Sequence, residues 1–201
     1  IFILLAMEVR AEARYREMEL DLNSGYGIGS NGYAILDQVY SLSIRYSYWL
    51  TNQSTLDVGW NHFWGDYELT IYKQFLGKEE ERINWRADLF MIGLRYQPAW
   101  DFFLDMGLGG GVGYHLWETE GDAVRGKEGE GLAYYLIWDL KYPIRPWLGL
   151  GFYVSPYYFP ISSKIEKSVF IDYTGAKTIR YEKLKEEIIW NLGAWLAIRV
   201  Y

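Results

Sequence analysis

The feature that most limits what this chain can fold into is a period of two that runs through nearly all of it. In residues 102–116 the even positions are Phe102, Leu104, Met106, Leu108, Gly110, Val112, Tyr114 and Leu116, and the odd positions include Asp105, His115 and the glycines at 107, 109, 111 and 113. Residues 132–142, 148–158, 188–200, 34–50 and 90–96 follow the same rule. Such alternation marks a β-strand with two unlike faces. The one stretch rich in helix formers, Glu182–Glu187, runs straight into an alternating segment.

The two faces differ in a way that decides their surroundings. In these six segments no even position carries a charge. The alternate positions hold seven charges (Asp37, Arg45, Arg95, Asp105, Asp139, Lys141 and Arg199) and eight glycines. A water-facing sheet surface would be rich in Lys, Glu and Thr, whereas a narrow barrel lumen must be filled by side chains and selects Gly beside a few large residues. A charge on the lipid face of a membrane barrel costs ~2–4 kcal/mol near the midplane. The face without charge therefore points at lipid and the mixed face points inward, which favours a membrane barrel over a soluble ligand-binding one. A chain with 23% charged residues and 50% hydrophobic ones has the average that such a two-faced architecture produces. Expected interface aromatics on the outer face are Tyr48, Tyr96, Tyr114, Trp138, Tyr142, Tyr158 and Trp190, because amphipathic rings settle at the headgroup level.

Eight strands are predicted, at 5–22, 33–50, 55–75, 84–97, 101–118, 132–143, 147–160 and 185–201, in a single all-β domain over 1–201, an eight-stranded antiparallel up-and-down transmembrane β-barrel. A phase change near Gly65-Asp66 suggests a bulge. Short connections (Thr51–Ser54, Pro98–Trp100, Pro143–Pro146) alternate with longer polar ones at 23–32, 76–83, 119–131 and 161–184. That layout belongs to outer-membrane barrels. The 161–184 segment reads as a hairpin continuing the last two strands beyond the membrane. Ile1–Ala6 reads either as a signal-peptide remnant, with Ala11-Glu12-Ala13 as a cleavage-like site, or as first strand. The charges at Glu8, Arg10 and Glu12 favour the strand.

The inward charges collect near the short turns. Arg45, Arg95, Asp105, Asp139, Lys141 and Arg199 form a candidate lumen network, joined by Glu8 and Arg10 from the first strand, with Arg95 and Asp105 facing each other across the Pro98 turn. Buried charges need partners, so a salt-bridge plug is favoured over an ion gate. His115 points inward near the outer end of strand five, and His62 lies in the less regular third strand. No serine or carboxylate spacing makes either a nucleophile's base, and no ligand spacing supports a metal site. With no cysteine there is no disulfide or thiolate site. A net charge of −6 speaks against nucleic acid as a partner.

The last twelve residues, Trp190–Tyr201, resemble the C-terminal signal of bacterial outer-membrane proteins: Asn191-x-Gly193-x-x-Leu196-x-Ile198 fits its polar-x-Gly-x-x-apolar-x-apolar form, although Tyr201 falls on the opposite face from Ile198 and Val200. The glycine-alternating strand Asp105–Tyr114 and the turn entry Tyr96-Gln97-Pro98 are similar to the small eight-stranded barrels related to the outer membrane protein A transmembrane domain. The resemblance implies residence in the bacterial outer membrane, a signal peptide removed on export, insertion by the barrel-assembly machinery, contact with outer-membrane lipid or lipopolysaccharide, and a monomer or weak oligomer. The functional expectation is a non-catalytic structural or interaction protein with a side-chain-plugged lumen and no cofactor or metal. The alternatives are a small pore or transport barrel for ions or apolar solutes, and a lipid-modifying barrel enzyme.

Overall fold

The computed structural model describes residues 18–29, 38–73, 77–98, 104–120, 127–160, 164–172, 174, 176–183 and 187–200. Ten strands are present among them: β1 (Met18–Gly29), β2 (Gln38–Thr51), β3 (Ser54–Lys73), β4 (Gly77–Tyr96), β5 (Asp105–Glu120), β6 (Lys127–Arg145), β7 (Leu148–Phe159), β8 (Lys164–Ile171), β9 (Lys177–Lys183) and β10 (Glu187–Val200). Strands β1 to β7 and β10 pair antiparallel with their neighbours, β1 against β10 and β2 against β3 completing the circle, so the eight close into a barrel.

Closure has a measurable stagger. Glu19 pairs with Ser47, Ser47 with Asp57, Asp57 with Gly93, Gly93 with Gly111, Gly111 with Tyr135, Tyr135 with Tyr157, Tyr157 with Ile189, and Ile189 with Gly29. The circuit returns to β1 ten residues above its start. A stagger of this kind makes the strands tilt and leaves an interior just wide enough for side chains to fill.

The alternation read from the sequence maps onto the two surfaces. Along β2 every second side chain is buried, from Val39 through Ser41, Ser43, Arg45 and Ser47 to Trp49, while Tyr40, Leu42, Ile44 and Tyr46 are exposed. The outward belt continues with Leu22, Val58, Phe90, Ile92, Leu94, Val112, Leu136, Leu150, Phe152 and Leu192. This exposed apolar surface surrounds a barrel whose own interior is buried, which is the reverse of a soluble fold.

The inner wall works by placing large side chains over glycines. A Cβ on Gly109 would stand 2.7 Å from the Leu94 carbonyl oxygen and 2.9 Å from Arg95 Cβ, and one on Gly107 would lie 3.2 Å from Arg95 Cδ. The glycine stripe of β5 is thus the space in which Arg95 lies. On β7, Gly149 accommodates the Lys141 stem at 3.1 Å and Gly151 lies under Trp195.

Several expectations need correction. Among the described residues the first strand is Met18–Gly29, which runs past the expected end at 22: its lipid face is Met18, Leu22, Tyr26 and Ile28, the later of the two phases, and 23–29 is strand, not loop. Residues 1–17, with Glu8 and Arg10, lie outside the described residues, as do Asp37 and Tyr201. No bulge occurs at Gly65-Asp66. The β3–β4 ladder runs unbroken from Ser54 to Lys73, and the register shift is instead between Trp49 and Thr51, at the short turn. Strands β4, β5 and β6 extend into stretches expected to be loops, because above the apolar belt their outward positions face water and can be charged, as at Arg82, Glu120 and Glu128.

The hairpin after β7 exists but does not continue the last two strands. It is β8–β9, closed where the Asp172 carboxylate accepts hydrogen bonds from Thr174 N (2.8 Å), Thr174 Oγ1 (2.6 Å) and Ala176 N (2.9 Å). β8 then runs parallel to the top of β3, pairing Thr70–Lys73 with Ser168–Ile171. Among the described residues the β2–β3 ladder ends at Gln38–Asp66, and β8 pairs with β3 beyond that point; pairing of this kind keeps a strand edge from being left uncovered, which is a liability.

The glycine packing predicts that Gly109→Val costs ~1–3 kcal/mol or more, since the added atoms meet backbone as well as Arg95. Urea unfolding in lipid vesicles should show this loss, whereas Leu108→Val on the lipid face should change stability far less.

Candidate functional site

The short-turn end of the lumen holds a cluster of buried charges drawn from seven of the eight barrel strands. Two of its pairs are direct ladder neighbours. Arg45 stands opposite Asp21 and donates from Nε to Oδ2 at 3.0 Å, and Arg199 stands opposite Glu19 and donates from Nε to Oε2 at 2.9 Å. Lys141 reaches the other Glu19 oxygen from β6, across the lumen. Arg199 Nη2 also donates to Asp105 at 3.3 Å.

Arg95 is the hub. Its Nη1 donates to Asp139 Oδ2 at 2.7 Å and its Nη2 to Ser47 Oγ at 2.9 Å, while Nε lies 3.2 Å from Asp57 Oδ2. Asp21 and Glu19 lie 3.5 and 3.8 Å from Nη2. Its side chain is fully buried, as are those of Glu19 and Asp21. Trp195 completes the centre: Lys141 Nζ is 4.5 Å from the ring centroid, and the Arg45 and Arg95 guanidinium carbons are each 5.7 Å from it. Cations over an indole gain from the ring quadrupole, and more so when desolvated. Five carboxylates and four cations make the described cluster nearly neutral.

Above the charges lies a neutral polar layer. Asn191 Nδ2 donates to Ser41 Oγ (2.6 Å) and Tyr153 Oη (3.2 Å), Asn23 Nδ2 to Ser43 Oγ (2.8 Å), and Asn61 Nδ2 to Tyr157 Oη (3.0 Å). Above that, Phe63, Phe159, Leu89, Ile189, Val39 and Trp117 form an apolar cap. His115 is buried in this cap, its ring edge-on to Phe159 at 5.1 Å and set against the Gly131 backbone. His62, by contrast, points outward. Its Nδ1 lies 2.8 Å from Asp88 Oδ1, and its ring stacks between Trp60 and Trp64.

Of the lumen residues expected from the sequence, the structure brings Arg45, Arg95, Asp105, Asp139, Lys141 and Arg199 into one cluster. Arg95 and Asp105 do not face each other: Arg95 pairs with Gly109, and Asp105 with Lys141. The register of the β4–β5 ladder carries Asp105 below the level of Arg95, whose guanidinium spans the lumen instead of meeting its ladder neighbour. Glu19, Asp21, Asp57 and Trp195 were missed. The first two alternate with Met18, Leu20 and Leu22, so the signal existed in that later phase. Asp57 was hidden in a strand whose outward His62 breaks the alternation.

Among the expected interface aromatics, Tyr96, Tyr114, Trp138, Tyr142 and Trp190 are exposed on the outer surface, and Tyr48 and Tyr158 are partly exposed there. Trp138 sits mid-strand between Leu136 and Leu140, paired with Leu108 and Val154, and so lies in the apolar belt itself.

No protein-family model and no curated protein matches the chain. Solved structures do. Neisserial surface protein A superposes with a TM-score of 0.60 at 10% identity, spanning 90% of this chain and 96% of that one. OprG of Pseudomonas aeruginosa gives 0.57 at 9% identity, spanning 93% and 98%. The N-terminal β-barrel domain of Pseudomonas aeruginosa OprF gives 0.50 at 13% identity, spanning 92% and 98%. At such identities the likeness is one of fold, and the fold is that of the small eight-stranded outer-membrane β-barrels. With its exposed apolar belt, this chain has the fold and the outer surface of an integral outer-membrane β-barrel.

Removing one member of a buried ion network leaves the others uncompensated, a loss of ~3–5 kcal/mol. Arg95→Met should therefore destabilise the barrel by about that amount, and Arg199→Met, at the partly exposed edge, by less. Urea titrations in vesicles, followed by the folded band on unboiled gels, measure both. Replacing His115 by Leu removes a polar ring from this apolar cap and should leave stability unchanged or raise it by up to ~1 kcal/mol in the same assay.

Proposed function

We propose that the protein is a structural or interaction barrel whose lumen is closed by its own side chains. The observation that supports this reading is Arg95, buried in the lumen at its short-turn end and engaged by carboxylates from β1, β3 and β6 at once. A permeating ion would have to displace a guanidinium from several partners in a low-dielectric interior, where each separated charge is costly. The apolar cap above adds a second barrier, because a narrow hydrophobic constriction resists wetting. The reading is non-catalytic: His115 packs against an aromatic ring, and the hydrogen-bond partner of His62 among the described residues is Asp88.

Reconstitution into planar bilayers tests the reading. The expected outcome is no stable ohmic conductance from the wild-type barrel. Stable conductance in the wild type would overturn the plugged lumen in favour of a small pore.

A further inference from the structure

The ladder between β1 and β10 joins the first and last described strands of the barrel, so no turn between them fixes its register. A slip of one residue would turn the apolar face inward, but a slip of two keeps every side chain on its proper face. A slip of two at this seam would also change the ten-residue stagger by two, and the stagger, tilt and width of a barrel are linked. The lipid face cannot tell these registers apart, so the choice falls to the inner face.

The inner side of the seam carries a glycine window. Gly25 of β1 stands between Gly193 of β10 and Ser41 of β2. Tyr153, from β7, lies across this window: a Cβ on Gly193 would be 2.6 Å from the Tyr153 ring, and one on Gly25 would be 2.5 Å from its hydroxyl. Asn191 of β10 crosses it as well, donating from Nδ2 to Ser41 Oγ at 2.6 Å and to Tyr153 Oη at 3.2 Å. Both side chains thus pass over β1 toward β2. Nearer the short turns, Glu19 faces Arg199 in the ladder, accepting from its Nε at 2.9 Å, and is also held by Lys141 from β6.

Each direction of slip meets its own obstacle. Moving Asn23 opposite Gly193 brings Asn23 and its partner Ser43 to the places of Gly25 and Ser41, and the Asn23 side chain then occupies the path of Tyr153. Charge alone would tolerate that slip, because the sequence carries a further carboxylate at Glu17. Moving Gly27 opposite Gly193 keeps the window open but brings Val39 to the place of Ser41. The Asn191 amide and the Tyr153 hydroxyl then lose the Ser41 hydroxyl, which is costly for buried polar groups. The same slip carries Glu19 past Arg199 and leaves Asp21 to serve both Arg199 and Arg45.

We infer that Asn23, Gly25, Ser41, Tyr153, Asn191 and Glu19 form a register lock, a device that holds the closing seam at one stagger and so fixes the width of the lumen. It acts on the barrel wall and does not depend on whether the lumen conducts.

The chain has no cysteine, so paired cysteines on the lipid face report the register. Directly opposite residues lie ~5 Å apart and diagonal ones ~7–8 Å, and a thiol cross-linker of the shorter span distinguishes them. In lipid vesicles, Ser24→Cys with Ala194→Cys should link at least fivefold more than Ser24→Cys with Leu192→Cys or with Leu196→Cys. Adding Ser41→Ala and Glu19→Gln should raise the Leu196 link at least fivefold at the expense of the Ala194 link. Adding Asn23→Gly instead should raise the Leu192 link and leave the Leu196 link unchanged, a directional response that general loosening would not give. Unboiled gel mobility reports that each variant is folded, and if the double variant does not fold, Asn23→Gly alone decides. Slipped links equal to the Ala194 link in the otherwise unchanged chain overturn the lock. So do slipped links that stay low in the folded variants, or that rise alike in both directions.

Discussion

A backbone N–H or C=O left unpaired in hydrocarbon costs several kcal/mol, and every other feature of this molecule follows from how that cost is avoided. Eight strands pair side by side until β3 meets β2, and no edge faces lipid along the belt. Closure with a ten-residue stagger also determines the interior. The lumen is too narrow for a wide water column and too long to stay empty, so inward side chains must fill it.

The filling is graded along the axis. Charges gather at the short-turn end, where Arg45 and Arg199 neutralise carboxylates on the neighbouring strand and Arg95 and Lys141 reach carboxylates across the lumen. Amides and hydroxyls occupy the middle, and aromatic and aliphatic groups cap the outer end. Each layer depends on glycines in the facing wall. Without Gly107 and Gly109 there is no room for Arg95, and without Gly149 the stem of Lys141 has no bed. Charge pairing and backbone packing are here one constraint: a long cation satisfies a distant carboxylate only if the wall between them carries no side chain.

Above the belt the rules change, because water replaces lipid on the outer face. The ladders of β3 to β6 continue upward carrying Arg82, Arg86, Glu118 and Glu128 on their exposed side. β8 pairs with β3 at Thr70–Lys73, beyond the described end of the β2–β3 ladder. The boundary between the two regimes passes through His62 and Asp88, a polar pair among girdle aromatics.

What the sequence determined by itself is everything that repeats with a period of two: the strand architecture, the lipid-facing set, the inward set, and the gathering of Arg45, Arg95, Asp105, Asp139, Lys141 and Arg199 near the short turns. These follow from local alternation, since a face in lipid excludes charge position by position. Only the tertiary structure decided who meets whom. Arg95 passes over its ladder neighbour Gly109 to reach Asp139, Asp57 and Asp21, and Glu19 collects Lys141 and Arg199. The hairpin of β8 and β9 lies along β3 and not on the last two strands. Such contacts depend on register and stagger around a closed ring, and a shift of two residues in any ladder would leave the alternation intact while giving every buried charge a different partner.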